Sequence, residues 1–72
     1  MTDIHGLKKG DRIVFTNGHE SLVHNVSDDE RGLNVCFTSE KGKDLDLFFL
    51  KDSGIAPCTE YEIAKVISNG FD

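Results

Sequence analysis

Five side chains in this sequence have the chemistry to hold a metal ion: His5, His19, His24, Cys36 and Cys58. Protein zinc sites draw ligands from close pairs such as Cys-x-x-Cys or His-x-x-x-His, because two donors on one turn or helix face preform one edge of the tetrahedron. No two of the five stand at such a spacing. His19 and His24 flank a predicted turn and would meet Cys36 only through strand pairing. The expectation is surface histidines, a small half-buried thiol at Cys36, and neither metal nor any other cofactor.

Nucleophilic catalysis needs a thiolate or alkoxide beside a base, with an orienting group behind it. Cys36 falls in the middle of a predicted strand and Cys58 in a linker after Pro57, and neither sits at a helix N-terminus that would favour its thiolate. Asp44 and Asp46 could form an acid–base pair, but both project from one strand face beside a polar turn, which is the pattern of a solvated edge. The chain is therefore not expected to be an enzyme.

Cations and rings that could bind nucleic acid are present: Lys8, Lys9 and Arg12 near the start, then Lys41 and Lys43, with Phe48 or Tyr61 as stacking platforms. The net charge of −5 opposes this reading. So do Asp28-Asp29-Glu30 and the Asp44/Asp46 pair, which repel phosphate unless they lie on the far side. Lysines in such positions also serve to keep turns soluble and to blunt strand edges. A small barrel binding single-stranded DNA or RNA is the alternative reading, not the first.

The stretch Asp44-Leu45-Asp46-Leu47-Phe48-Phe49-Leu50 carries the stronger signal. It opens with strict alternation, the mark of a strand with one buried face. If Leu45, Leu47 and Phe49 face a core, Phe48 and Leu50 face the other way with Asp44 and Asp46. Apolar residues of this minority parity recur as Val14, Leu22 and Cys36, and adjacent strands could merge them into one patch. A contiguous exposed apolar patch marks an interaction site, with an aromatic residue such as Phe48 as its anchor. The plainer alternative is that a bulge or sheet coiling turns some of them inward and leaves only scattered exposure. The predicted contact set is Phe48, Leu50, Val14 and Leu22, rimmed by Asp44 and Asp46. The acidic rim favours a protein partner with a basic surface, or a second copy of the chain as a homodimer.

These residues must be positioned by short strands and tight turns. Ile4 and Leu7 can pack, and Lys8-Lys9-Gly10-Asp11 reads as a turn. A first strand is predicted over 11–16, followed by Asn17-Gly18, the strongest short hairpin signal in any sequence. A second strand over 21–27 breaks its own parity at Leu22, Val23 and Val26, so a bulge is expected there. Asp28 to Gly32 is a charged loop, 33–39 a third strand with Leu33, Val35 and Phe37 inward, 40–43 a turn, and 44–50 the fourth strand. Ile13, Phe15, Val35, Phe37, Leu45, Leu47 and Phe49 form the predicted core. The last segment is two-sided. Thr59 with Glu62 fits a capping box and Gly70 could end a helix, whereas Ile63, Val66 and Ile67 favour a strand. A strand over about 60–68 is preferred, because four strands need a fifth to close a barrel.

Seventy-two residues make one domain, 1–72, near the lower limit for a self-sufficient core. Such a core supplies about 3–5 kcal/mol. No signal peptide is expected, because Met-Thr-Asp-Ile-His-Gly lacks a basic region followed by an apolar run. The two cysteines read as reduced thiols, and the expected location is the cytoplasm of a bacterial host.

Leu7-Lys8-Lys9-Gly10-Asp11-Arg12-Ile13-Val14-Phe15, then Asn17-Gly18, then Val23 and Val26, resembles the opening of small SH3-like β-barrels. These include KOW-type modules and short bacteriophage or prophage proteins. Tyr61-Glu62-Ile63-Ala64-Lys65-Val66-Ile67 is similar to the last strand of the phage group. The resemblance implies an all-β, five-stranded SH3-like barrel. KOW-type modules would imply nucleic-acid contacts, and this chain departs from them in its acidity and in lacking their later glycine. The reading drawn from all this is a non-catalytic binding module, with a phage-encoded inhibitor or modulator of a host nucleic-acid-handling protein as its sharpest form.

Overall fold

A computed structural model describes residues 2–68. Six strands appear in chain order and no helix is present among the described residues: β1 (Arg12–Phe15), β2 (Glu20–Leu22), β3 (Asn25–Asp28), β4 (Gly32–Thr38), β5 (Asp44–Leu50) and β6 (Ile63–Ile67). They form two antiparallel three-stranded sheets, ordered β2-β1-β6 and β3-β4-β5. The two sheets share no strand ladder among the described residues, so no closed barrel is found.

Local chemistry places these elements. Gly18 takes a φ of 92° in the turn between β1 and β2, where a side chain would be strained. Asn17 Oδ1 accepts the His19 amide hydrogen, closing the same turn. Asp11 is buried where the chain enters β1, and its carboxylate accepts the Lys8 amide hydrogen at 3.1 Å. The segment 2–7 runs beside the chain after β5, through Thr2 N to Ser53 O at 2.9 Å and Ile4 N to Lys51 O at 2.8 Å. Ile4 and Leu7 are thereby buried, as their apolarity requires.

The predicted second strand is two strands. Val23 still bonds to the first sheet, donating to Asp11 O at 2.8 Å, whereas His24 donates to Cys36 O in the second sheet at 2.8 Å. The chain changes sheets between these two residues. That corner is the physical cause of the broken parity at Leu22, Val23 and Val26: the bend restarts the alternation in a new sheet. The last segment is the strand β6, paired antiparallel with β1 from Arg12↔Ile67 to Phe15↔Ile63, which removes the helical alternative. Gly70, the proposed helix stop, lies outside the described residues.

The inner faces of the two sheets meet in one cluster that includes Ile13, Phe15, Val23, Leu33, Val35, Phe37, Phe49 and Ile63, all buried. Phe15 stands at its centre, with ring centroids 5.0 Å from Phe37, 4.9 Å from Tyr61 and 6.1 Å from Phe49. These separations lie in the range where aromatic pairs add attraction beyond area burial. Leu45 and Leu47 are less buried than predicted. They pack against the cluster from its rim, Leu45 beside an open cleft.

Candidate functional site

The strand registers assign every predicted contact residue to a face. On the outer face of β3-β4-β5, one row runs Ser27, Asn34, Phe48, and the next runs Asn25, Cys36, Asp46. Thr38 lies opposite Asp44, and Gly32 opposite Leu50, on the same face. Phe48 and Leu50 are therefore neighbours along β5, while Cys36 stands one row from Phe48, opposite Asp46, and Asp44 lies a row further on. Strand positions on this face carry no lysine or arginine.

Val14 and Leu22 are elsewhere. They lie on the outer face of β2-β1-β6, with Arg12 paired to both Leu22 and Ile67, and Val14 between Glu20 and Lys65. The core separates this face from Phe48, so the single merged patch does not form. Both groups have the same strand parity, but the change of sheet at Val23–His24 puts them on different sheets. Among the described residues, the most exposed large apolar side chains, Leu22 at 45% and Ile67 at 40%, belong to this second face.

Phe48 is only half-buried, and its ring covers Gly32 on the neighbouring strand. An added Cβ on Gly32 would stand 2.7 Å from Phe48 Cζ. Gly32 pairs with Leu50 and Phe48 with Asn34, so the ring reaches along the cross-strand diagonal. Resting on its own sheet fixes the ring's rotamer.

Beside this face, three side chains form a chain of hydrogen bonds across the sheet. Thr38 Oγ1 donates to Asp44 Oδ1 at 3.0 Å, so the 2.7 Å contact with His24 Nε2 makes His24 the donor. A serine-protease-type base takes a proton at one ring nitrogen while a carboxylate holds the other. Here the same Nε2 faces Thr38 and, at 3.8 Å, Asp44. A proton-bearing Nε2 cannot accept the threonine proton, so this is a structural clip.

The other predicted ligands do not converge. His5 Nδ1 meets Asp3 at 2.5 Å, and its Nε2 lies 3.5 Å from Asp52. His19 Nε2 lies 2.7 Å from Thr38 O, while its ring stacks on Phe15. Cys36 is half-buried and Cys58 exposed, both free thiols. No group of three or more His, Cys, Asp or Glu side chains among the described residues could hold a metal ion. Lys8 and Lys9 belong to the turn before β1 and Arg12 to its first position, whereas Tyr61 packs against Phe15 at the other end of β1. Phe48 is on the opposite sheet, so the first three cations meet neither stacking ring.

A second arrangement comes from three loops that meet at that far end. Tyr61 Oη donates to Glu40 Oε1, and Asn17 Nδ2 donates to Glu40 Oε2 at 3.0 Å. One carboxylate thus ties the β1–β2 turn, the β4–β5 turn and the approach to β6. The tyrosine bond holds the Glu40 carboxyl below its ordinary range and raises the Tyr61 hydroxyl above 10.0. An open cleft of about 430 Å³, lined by Ser39, Glu40, Lys41, Lys43, Leu45 and Tyr61, lies on one side of this seam. A smaller one of about 270 Å³, lined by Asn17, Glu40, Thr59, Glu60 and Tyr61, lies on the other. Sequence reading singled out Tyr61, Lys41 and Lys43 but not Glu40, whose partners are 21 and 23 residues away.

No helix of the described chain is long and apolar enough to cross a membrane. No protein-family model, no curated protein and no solved structure matches this chain.

Proposed function

We propose that the chain is a non-catalytic protein-binding module that docks through the outer face of β3-β4-β5. One observation carries this reading: Phe48 and Leu50 stand side by side on a sheet face that has two aspartates and no lysine or arginine on its strands. An aromatic side chain already held against its own sheet loses little rotamer freedom on binding, which suits an anchor. Asp44 and Asp46 at one end favour a partner with a basic surface and speed its approach.

Two further parts of the proposal rest on the resemblance described above. Counting β2 and β3 as halves of one bent strand gives five strands, which supports an SH3-like reading of the two sheets. The likeness to phage and prophage proteins supports a host nucleic-acid-handling protein as the partner, met in the bacterial cytoplasm, with modulation or inhibition as the outcome.

The test compares four forms of the chain as bait in host lysate. A protein held by the wild type and by Leu22→Asp, but released by Phe48→Asp and by the double Asp44→Asn/Asp46→Asn change, supports this face. Equal retention by all four removes it. Circular dichroism of Phe48→Asp establishes that loss of binding is not loss of fold.

A further inference from the structure

The larger cleft at the loop end has a composition that points to one class of ligand. Its volume, about 430 Å³, falls within the roughly 300–1,000 Å³ of small-molecule sites. Tyr61 and Leu45 supply apolar wall. The Tyr61 ring is held by Phe15 at 4.9 Å and by Phe37 at 5.3 Å, and its hydroxyl by Glu40, so the wall is rigid. Rigid walls bind better because less motion is lost on binding.

The charges around the cleft are unequally engaged. Both oxygens of Glu40 already accept hydrogen bonds, from Tyr61 and Asn17. Lys41 and Lys43 line the same cleft, and neither forms an ion pair among the described residues. In a chain of net charge −5, two unpaired cations beside one cleft reverse the sign locally. An ammonium acts as a strongly hydrated point charge, and a doubly charged phosphate can meet two of them at once, where a carboxylate carries a single charge.

We infer that this cleft binds a small aromatic phosphate, with its ring against Tyr61 and Leu45 and its phosphate between Lys41 and Lys43. The ring and the phosphate each contribute, so the two together bind more tightly than either alone. This site is built by the loops around Glu40 and is independent of the Phe48 face.

Nitrogen-15 NMR titration of the full chain with phenyl phosphate tests the inference. Saturable shifts are expected at residues 39–45 and at Tyr61. Lys41→Ala and Lys43→Ala should each weaken binding by about 1.4-fold to fivefold, the range of an exposed charge pair. Lys9→Ala and Phe48→Asp should leave it unchanged. Tyr61→Phe keeps the ring and should retain binding, which separates the wall from the Glu40 bond. Adenosine 5′-monophosphate as a second probe distinguishes a nucleotide from a phosphate joined directly to the ring: the source is the one that binds more tightly. Two results overturn the inference. One is the absence of saturable shifts at these residues with either probe. The other is an equal midpoint with inorganic phosphate alone, which would leave the ring no part in binding.

Discussion

The ring of Phe48 lies across Gly32 so closely that a methyl group on the glycine would stand 2.7 Å from ring Cζ and 2.8 Å from Cε1. The same methyl would stand 2.2 Å from the Phe49 carbonyl oxygen. That oxygen belongs to the backbone and cannot swing aside. Gly32→Ala therefore forces β4 away from β5, at a cost of about 1–3 kcal/mol or more, the range for overpacking. A urea midpoint that falls while the slope stays constant is the expected result, and an unchanged midpoint would contradict the contact.

Adjacent phenylalanines on β5 should respond differently. Phe49 is fully buried, so Phe49→Ala removes core contacts worth about 3–5 kcal/mol, comparable to the whole stability of a domain this small. Phe48→Ala uncovers one face of Gly32 and leaves the core intact. The expected outcome is an unfolded Phe49→Ala chain and a folded, cooperatively melting Phe48→Ala chain by thermal denaturation.

Ser21 joins the two sheets through a single oxygen. Its Oγ accepts the Thr38 amide hydrogen at 2.9 Å and donates to Leu22 O at 3.0 Å. Ser21→Ala leaves a partly buried amide on β4 without that acceptor, at a cost of about 1–3 kcal/mol. Amide hydrogen exchange at Thr38 should accelerate more than at Val35 or Phe37, deeper in β4.

The response to pH has two limbs with opposite origins. Lys51 holds Asp28 below its ordinary 3.8 through a hydrogen-bonded ion pair, the His5 amide does the same for Asp3, and Tyr61 lowers Glu40 from 4.5. A depressed carboxyl contributes stability above its unfolded value, and this is lost as pH falls through the folded value. Tyr61, raised above 10.0, contributes stability that is lost as pH rises through its folded value. The three carboxylates are exposed and the Tyr61 ring is half-buried, so the acid limb is shallow and salt flattens it. Lys51→Met should remove part of the acid limb only, and Tyr61→Phe the Tyr61 share of the alkaline limb together with Glu40's share of the acid limb, both read from urea midpoints across pH.

Much of the fold is legible because alternation and turn chemistry are local. β5 spans 44–50 as its pattern demands, and the Asn17-Gly18 turn sits between β1 and β2. What the sequence hides is which sheet a strand joins. Val14, Leu22 and Phe48 share a parity, yet the corner at Val23–His24 separates Phe48 from the other two. Leu45 and Leu47 alternate as perfectly as Phe49, but burial depends on what lies opposite, and the cleft opens beside Leu45. The Glu40 seam joins turns far apart in the chain, and no local pattern announces it.

Tyr61 is the only tyrosine, and the chain has no tryptophan. The ultraviolet emission of this protein therefore comes almost wholly from one phenol, and that phenol is the one bonded to Glu40. Light makes a phenol a far stronger acid, and Glu40 is placed to take its proton, so the expected outcome is emission shifted to the red of an ordinary tyrosine. Glu40→Gln should restore ordinary tyrosine emission, and an unchanged spectrum would contradict the transfer. The chain thus carries its own optical gauge, read without a label, at the point where its three loops are tied.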